Sequence, residues 1–170
     1  TDYVSSVLEA SQHLARMVGD ILDLATIQAG FMRLDIQEVD VSTIVADLVQ
    51  SFREAAEEKA IVISLDQSPK PLVAACDIAR VRQVLSNLLG NAIKFTPEGG
   101  TVTVHALPPK ADIPEIRIVI EDTGGGISEE DRERVFESFV QASSGTKQSG
   151  AGLGLALSKS LIELHGGRIV

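Results

Sequence analysis

The sequence predicts an α+β fold preceded by a long coiled-coil-like helix. Three observations carry that expectation. An apolar seam with 3-4 spacing runs through residues 3–29, two stretches of alternating polarity lie at 102–106 and 116–120, and helical apolar faces recur between and after them.

The seam comprises Val4, Val7, Leu14, Val18, Ile21 and Ala25, with Ser11 and Gln28 filling the remaining steps. It lasts more than three heptads and cannot be buried by one helix alone, so it calls for a partner helix. Gly30 is the expected stop. Residues 31–40 read as a linker with a short strand. A second helix is expected at about 42–59, capped by Asp40 or Ser42. Ile61–Leu65 reads as a buried strand, and after Pro69 and Pro71 another strand covers Leu72–Ala75. Asp77 caps a third helix with Ile78, Val81, Leu85, Leu88 and Ala92 on one face. Val102, Val104 and Ala106 alternate with polar residues, as do Ile116, Ile118 and Ile120, and the two strands pair as a hairpin. Residues 122–152 are Gly- and Ser-rich and read as mobile. A last helix spans Leu153–Leu164, ended by Gly166 and Gly167, with a strand beginning at Arg168.

Composition narrows the function. The chain has 170 residues, 44% of them apolar, so it is long enough for a real core; aromatics are only 4% and Trp is absent, so Leu, Ile, Val and Ala must fill that core. A formal net charge of −9 argues against nucleic acid as a general partner and against anionic membrane surfaces, but not against a nucleotide held locally with a metal. No apolar run approaches a membrane span and no signal peptide is visible. The single cysteine, Cys76, excludes an internal disulfide, fits a reducing cytosol and is expected to be a buried structural thiol.

Three motifs carry chemistry. Asn87, Asn91 and Lys94 lie at i, i+4 and i+7, and so share one face of the third helix. Amide oxygens are hard neutral ligands suited to Mg²⁺, and a lysine one turn on can meet phosphate charge. Alone, the trio is more simply a solvated polar face. Asp122-Thr-Gly-Gly-Gly-Ile127 follows an apolar strand, where a carboxylate can accept from an exocyclic amine and Gly124 and Gly126 allow close approach of a flat ligand. Alone, it is weak evidence and reads as an ordinary Gly-rich turn. Gly150-Ala-Gly-Leu-Gly-Leu155 opens a helix whose free N–H groups can cradle phosphate, and it equally fits a hinge. Phe136 and Phe139 read as core or lid anchors.

Together these segments resemble sensor histidine kinases. Residues 87–96 look like the N box, Asp122–Ile127 the first glycine box, Phe136–Phe139 the F box and Gly150–Leu155 the second glycine box, in family order. Met17–Gly30 is similar to the second helix of the family's dimerisation domain. The resemblance implies a two-layer α/β sandwich of the Bergerat type, a mixed sheet with helices on one face. It implies three parts: 1–30 from the dimerisation and phosphotransfer domain, a linker at 31–40, and a catalytic ATP-binding domain at 41–170 whose last strands are missing.

It implies ATP and Mg²⁺ as cofactors, with Asn91 ligating the metal and Asn87 supporting it. Lys94 would lie near the phosphates, Phe95 beside adenine, and Asp122 on the adenine amine with Gly124 and Gly126 beneath the ring, with Ile127 among the nucleotide-binding residues. Gly150, Gly152 and Gly154 would hold the phosphates, Leu153 would also belong to the nucleotide-binding set, and residues 141–150 with Lys147 would form the ATP lid. The implied partners are a response-regulator receiver domain and a second copy of the chain through residues 1–30, in a cytoplasmic domain of a parent either membrane-anchored or soluble.

ATPases of the superfamily resemble one another in carrying glutamate at the position of Asn87. Asparagine cannot act as a general base, which favours transfer to another group over hydrolysis. The family's His-Glu/Asp-x-Arg-x-Pro acceptor motif is absent, His13, His105 and His165 fit no acceptor pattern, and Ala151 stands where the family often has Thr or Ser. The readings are therefore a histidine kinase lacking its own acceptor, a nucleotide-binding regulatory module, or an ATPase of the same superfamily.

Overall fold

The computed structural model describes residues 2–112, 115–140 and 152–170. In chain order the elements are α1 (Asp2–Gln28), β1 (Gln37–Asp40), α2 (Val41–Ser51), α3 (Arg53–Glu58), β2 (Val62–Gln67), β3 (Val73–Cys76), α4 (Ile78–Phe95), β4 (Thr101–Leu107), β5 (Arg117–Asp122) and α5 (Gly154–Leu164), with a 3-10 turn at Arg134–Phe136. They form two compact units, Leu34–Gly126 and Thr1–Arg33 with Ile127–Val170.

The Leu34–Gly126 unit is built on a mixed three-stranded sheet of order β2-β4-β5. The expected hairpin is present: β4 and β5 run antiparallel, with Val104 opposite Ile120 and Ala106 opposite Ile118. β2 joins β4 in parallel. Strand alternation puts Val102, Val104 and Ala106 on one face, all buried, and Val102 and Val104 join the core formed with α2 and α4. α2 contributes Ile44, Val45, Leu48 and Val49 to this core, and α4 contributes Val81, Leu85, Leu89, Ala92 and Ile93. Burying each of the Val, Leu and Ile side chains among these stabilises the fold by about 1.5–3 kcal/mol. Cys76 belongs to the same core, a free buried thiol whose pKa burial raises, with the Asp77 charge adding to it.

A separate antiparallel ribbon pairs β1 with β3, Gln37 opposite Cys76 and Asp40 opposite Val73. Asp40 is the cap of α2: its carboxylate accepts from the Ser42 N–H at 3.1 Å and also from the Leu72 N–H at 2.9 Å. The Ser42 hydroxyl, the Leu72 amide and the Ser42 amide hold its carboxyl below the usual range against a small opposing effect of burial.

Several expectations shift. The helix expected at 42–59 breaks at Phe52 into α2 and α3. There the Ser51 hydroxyl donates to the Leu48 carbonyl at 2.8 Å, sharing it with the Phe52 N–H at 3.1 Å. β2 is covered on one face rather than on both, so its burial alternates and Val62 is exposed. The strand expected at 72–75 lies one residue later, because Leu72 spends its N–H on Asp40. The buried stripe of α4 excludes Ile78 and Leu88 and instead takes in Val84, Leu89 and Ile93. A stripe that stays on one side of a 3.6-residue helix drifts off the positions first chosen.

The second unit joins α1 and α5, and Leu24, Leu153, Ala156, Leu157 and Leu161 are all buried in it. α1 stops where the sequence places its stop: Gly30 takes φ +71°, its N–H bonds the Ile27 carbonyl and the Phe31 N–H reaches back to Thr26. α5 ends on the same pattern at Gly166 and Gly167. Residues 168–170 form no strand, for they meet no neighbouring ladder among the described residues. Along the seam Val4, Val7, Leu14, Val18 and Ile21 are exposed. No helix among the described residues is long and apolar enough to cross a membrane.

Candidate functional site

The asparagine face sits on α4, and Asp77 starts that helix. Its carboxylate accepts from the Arg80 N–H at 3.1 Å and from the Asp35 N–H at 3.0 Å, so it also ties down the strand-bearing linker. Burial pushes the Asp77 carboxyl up, but the amides of Asp35, Arg80 and Ala79 and the Arg80 charge outweigh it, and the pKa is lowered. Downstream, Asn87, Asn91 and Lys94 are all half-buried on the helix side turned from the core, and Phe95 is 54% exposed with the Lys94 ammonium 5.0 Å from its ring centre.

The turn after β5 meets the end of α4. Asp122 Oδ1 accepts from the Gly124 N–H at 2.8 Å, folding the exposed carboxylate over the turn. A Cβ placed on Gly124 would lie 2.6 Å from Asp122 Oδ1 and 2.8 Å from the Phe95 carbonyl oxygen. The structure thus brings Phe95, Asp122 and Gly124 together. It also gives Gly124 a reason that sequence reading missed: the protein's own backbone already occupies the space a side chain needs. Gly126 takes φ +69° with open space around it.

Within the other unit, Gly152 takes φ +67°, and a Cβ there would meet the Val140 carbonyl at 2.7 Å and the Phe139 carbonyl carbon at 2.9 Å. The Phe139 N–H donates to the Gly152 carbonyl at 2.9 Å, so the end of the F box and Gly152 of the second glycine box form one backbone clasp. Leu153 is buried and Gly154 opens α5, whose first turn has no side-chain cap. Ile127 is exposed. Phe136 is half-buried, with Lys159 Nζ 5.5 Å from its ring centre.

Of the two roles expected for Phe139, core or lid anchor, the core one does not hold: it is 69% exposed with φ +67°. The clasp with Gly152 holds its backbone while the ring lines a cavity of about 200 Å³ with Ile21, Leu24, Ala25 and Leu153. Lys147, Gly150, Ala151 and the expected lid at 141–150 lie outside the described residues.

The residue that sequence reading missed is Lys59. Its ammonium donates to the carbonyls of Ile93, Lys94 and Thr96 at 2.7, 3.0 and 2.8 Å. A lysine between a helix and a strand carries no motif; the only sequence signal is a proline, Pro97, four residues after Ile93.

Comparison with known proteins now decides the family. Residues 76–170 match the model of the histidine kinase-, DNA gyrase B- and HSP90-like ATPases, more than half of the chain. The chain belongs to that family. It is 40% identical over 170 residues to the Non-motile and phage-resistance protein of Caulobacter vibrioides, covering 97% of this chain and 20% of that protein. It is 36% identical to Hybrid signal transduction histidine kinase D of Dictyostelium discoideum, covering 96% and 11% respectively. The full-length ShkA crystal structure in complex with AMPPNP superposes with a TM-score of 0.81 at 34% identity, covering 97% of this chain and 34% of that one. The chain is thus a histidine-kinase-type catalytic ATP-binding domain with the preceding helix, and it spans about a fifth or less of these curated relatives. The mixed sheet under helices is the fold the resemblance implies.

Proposed function

We propose that this chain is the part of a sensor histidine kinase that holds Mg-ATP and delivers the γ-phosphate to a histidine outside itself, for relay to an aspartate of a response-regulator receiver domain. The observation that carries this reading is Asn87 on the polar face of α4, within a matched ATPase-family domain. A carboxylate there would activate water. An amide cannot, so phosphoryl transfer depends on positioning and charge, and the nucleophile is supplied from elsewhere.

The residues fit the metal. Among the described residues there is no group of three or more His, Cys, Asp or Glu able to cage an ion. Two neutral amide oxygens suit a cation that arrives with phosphates and keeps its waters. Asn91 would ligate Mg²⁺ with Asn87 in support, and the ion would neutralise charge on the transferring phosphoryl group. Asp122 would accept the adenine amine above Gly124 and Gly126, with Phe95 and Ile127 beside the ring. Lys94, Lys147 and the amides of Gly150, Gly152, Leu153 and Gly154 would hold the phosphates.

In domain terms, residues 1–30 would be the second dimerisation helix, 31–40 the linker and 41–170 the catalytic domain. The exposed seam of α1 supports homodimer formation in the whole protein.

The test titrates ATP by calorimetry with Mg²⁺ and with EDTA, and follows phosphate release without any acceptor. The expected outcome is Mg²⁺-dependent binding with release at background. Sustained release would instead identify an ATPase.

A further inference from the structure

We propose that Lys59 is a positioning residue for nucleotide binding: it ties the end of α4 in the place where Phe95 and the Asp122 turn meet. The inference rests on the nucleotide site proposed above.

The last carbonyls of a helix lack partners from the helix itself. Ile93 would ordinarily receive the N–H of residue 97, but that residue is Pro97, which has none. The Lys59 ammonium fills the gap. It has three protons and meets three carbonyls, those of Ile93, Lys94 and Thr96, at 2.7–3.0 Å. A cation here also complements the negative end of the helix dipole.

The same residue holds the next turn, because the Lys59 carbonyl accepts from the Gly99 N–H at 3.3 Å. Thr96 is fully buried, with both its N–H and its hydroxyl on the Ala92 carbonyl at 3.0 and 2.7 Å. Phe95 lies between two carbonyls that Lys59 binds, and its own carbonyl abuts Gly124, whose N–H bonds Asp122. Lys59 is therefore linked, through backbone, to both the aromatic and the carboxylate assigned to adenine. Without the ammonium, the freed carbonyls turn toward water and Phe95 shifts against Gly124.

The test compares the wild-type chain with Lys59→Met, which keeps the stem and loses the donors, and with Lys59→Cys alkylated by 2-bromoethylamine, which restores an ammonium at nearly the same reach. Affinities are measured well below each melting temperature. Lys59→Met should weaken ATP with Mg²⁺ and ADP without it by the same factor, about tenfold, and the aminoethylated variant should recover most of it. A lower melting temperature with affinities within about twofold of wild type would overturn the proposal, leaving only a helix cap.

A readout without nucleotide keeps the two readings apart. In ¹H–¹⁵N spectra, Lys59→Met should move the amide signals of Asp122 and Gly124 and leave those of β1 unchanged. If these move while wild type binds no ATP, the positioning link stands and the nucleotide reading falls. If they stay in place, the link itself is wrong.

Discussion

Gly124 shows how one residue answers to two demands. The sequence motif suggests a glycine that lets a ligand approach, but the structure shows that the Asp122 carboxylate and the Phe95 carbonyl already crowd its missing side chain. Gly124→Ala should therefore destabilise the Leu34–Gly126 unit by about 1–3 kcal/mol as well as weaken ATP. Chemical denaturation and calorimetry together check this; a variant of unchanged stability would mean the clasp is looser than described. Gly152→Ala faces both a positive φ and the Val140 backbone, so lost phosphate transfer in that variant must be compared with its own melting curve. The asparagines needed no structure to be noticed, because residue type and 3.6-residue spacing are printed in the sequence. Lys59 did, because three carbonyls from a segment more than thirty positions away leave no local trace.

At the scale of elements, α4 positions the site and Asp77 positions α4. Asp77→Ala should cost about 1–2 kcal/mol, as removal of a helix cap does, with Asp77→Asn milder. The pH dependence follows from the sign of the shift. The folded pKa is lowered, so the stabilisation is complete above the unfolded value of about 3.9 and is lost as pH falls through the folded value. Urea melts between pH 6 and pH 2 should show this loss in wild type and a smaller one in Asp77→Asn; equal losses would remove Asp77 from the account. The start of α4 and the β4–β5 hairpin were legible because capping and alternation are local signals. The break at Phe52 and the one-sided burial of β2 were not, since both depend on what packs or pairs with them from afar.

For the molecule as a whole, the exposed seam on α1 and the asparagine at position 87 are the two features on which the proposed transfer to a second helical element rests. The seam was legible as a periodicity, and its exposure is what an unpaired coiled-coil face should show. Sedimentation of the chain should show concentration-dependent self-association that Leu14→Lys and Val18→Lys abolish; a strict monomer at all concentrations would assign the seam another partner. The final strand expected at Arg168 was out of reach for a local argument, because a strand exists only through its neighbour.

The most direct measurement uses γ-labelled ATP, Mg²⁺ and a separately supplied helix pair bearing the His-Glu/Asp-x-Arg-x-Pro motif of a relative. The account predicts acid-labile label on that histidine with wild-type chain, reduced at least about a hundredfold by Asn91→Ala, and none on the chain itself. Tight Mg-ATP binding with no label on any supplied histidine, or label unaffected by Asn91→Ala, would contradict it.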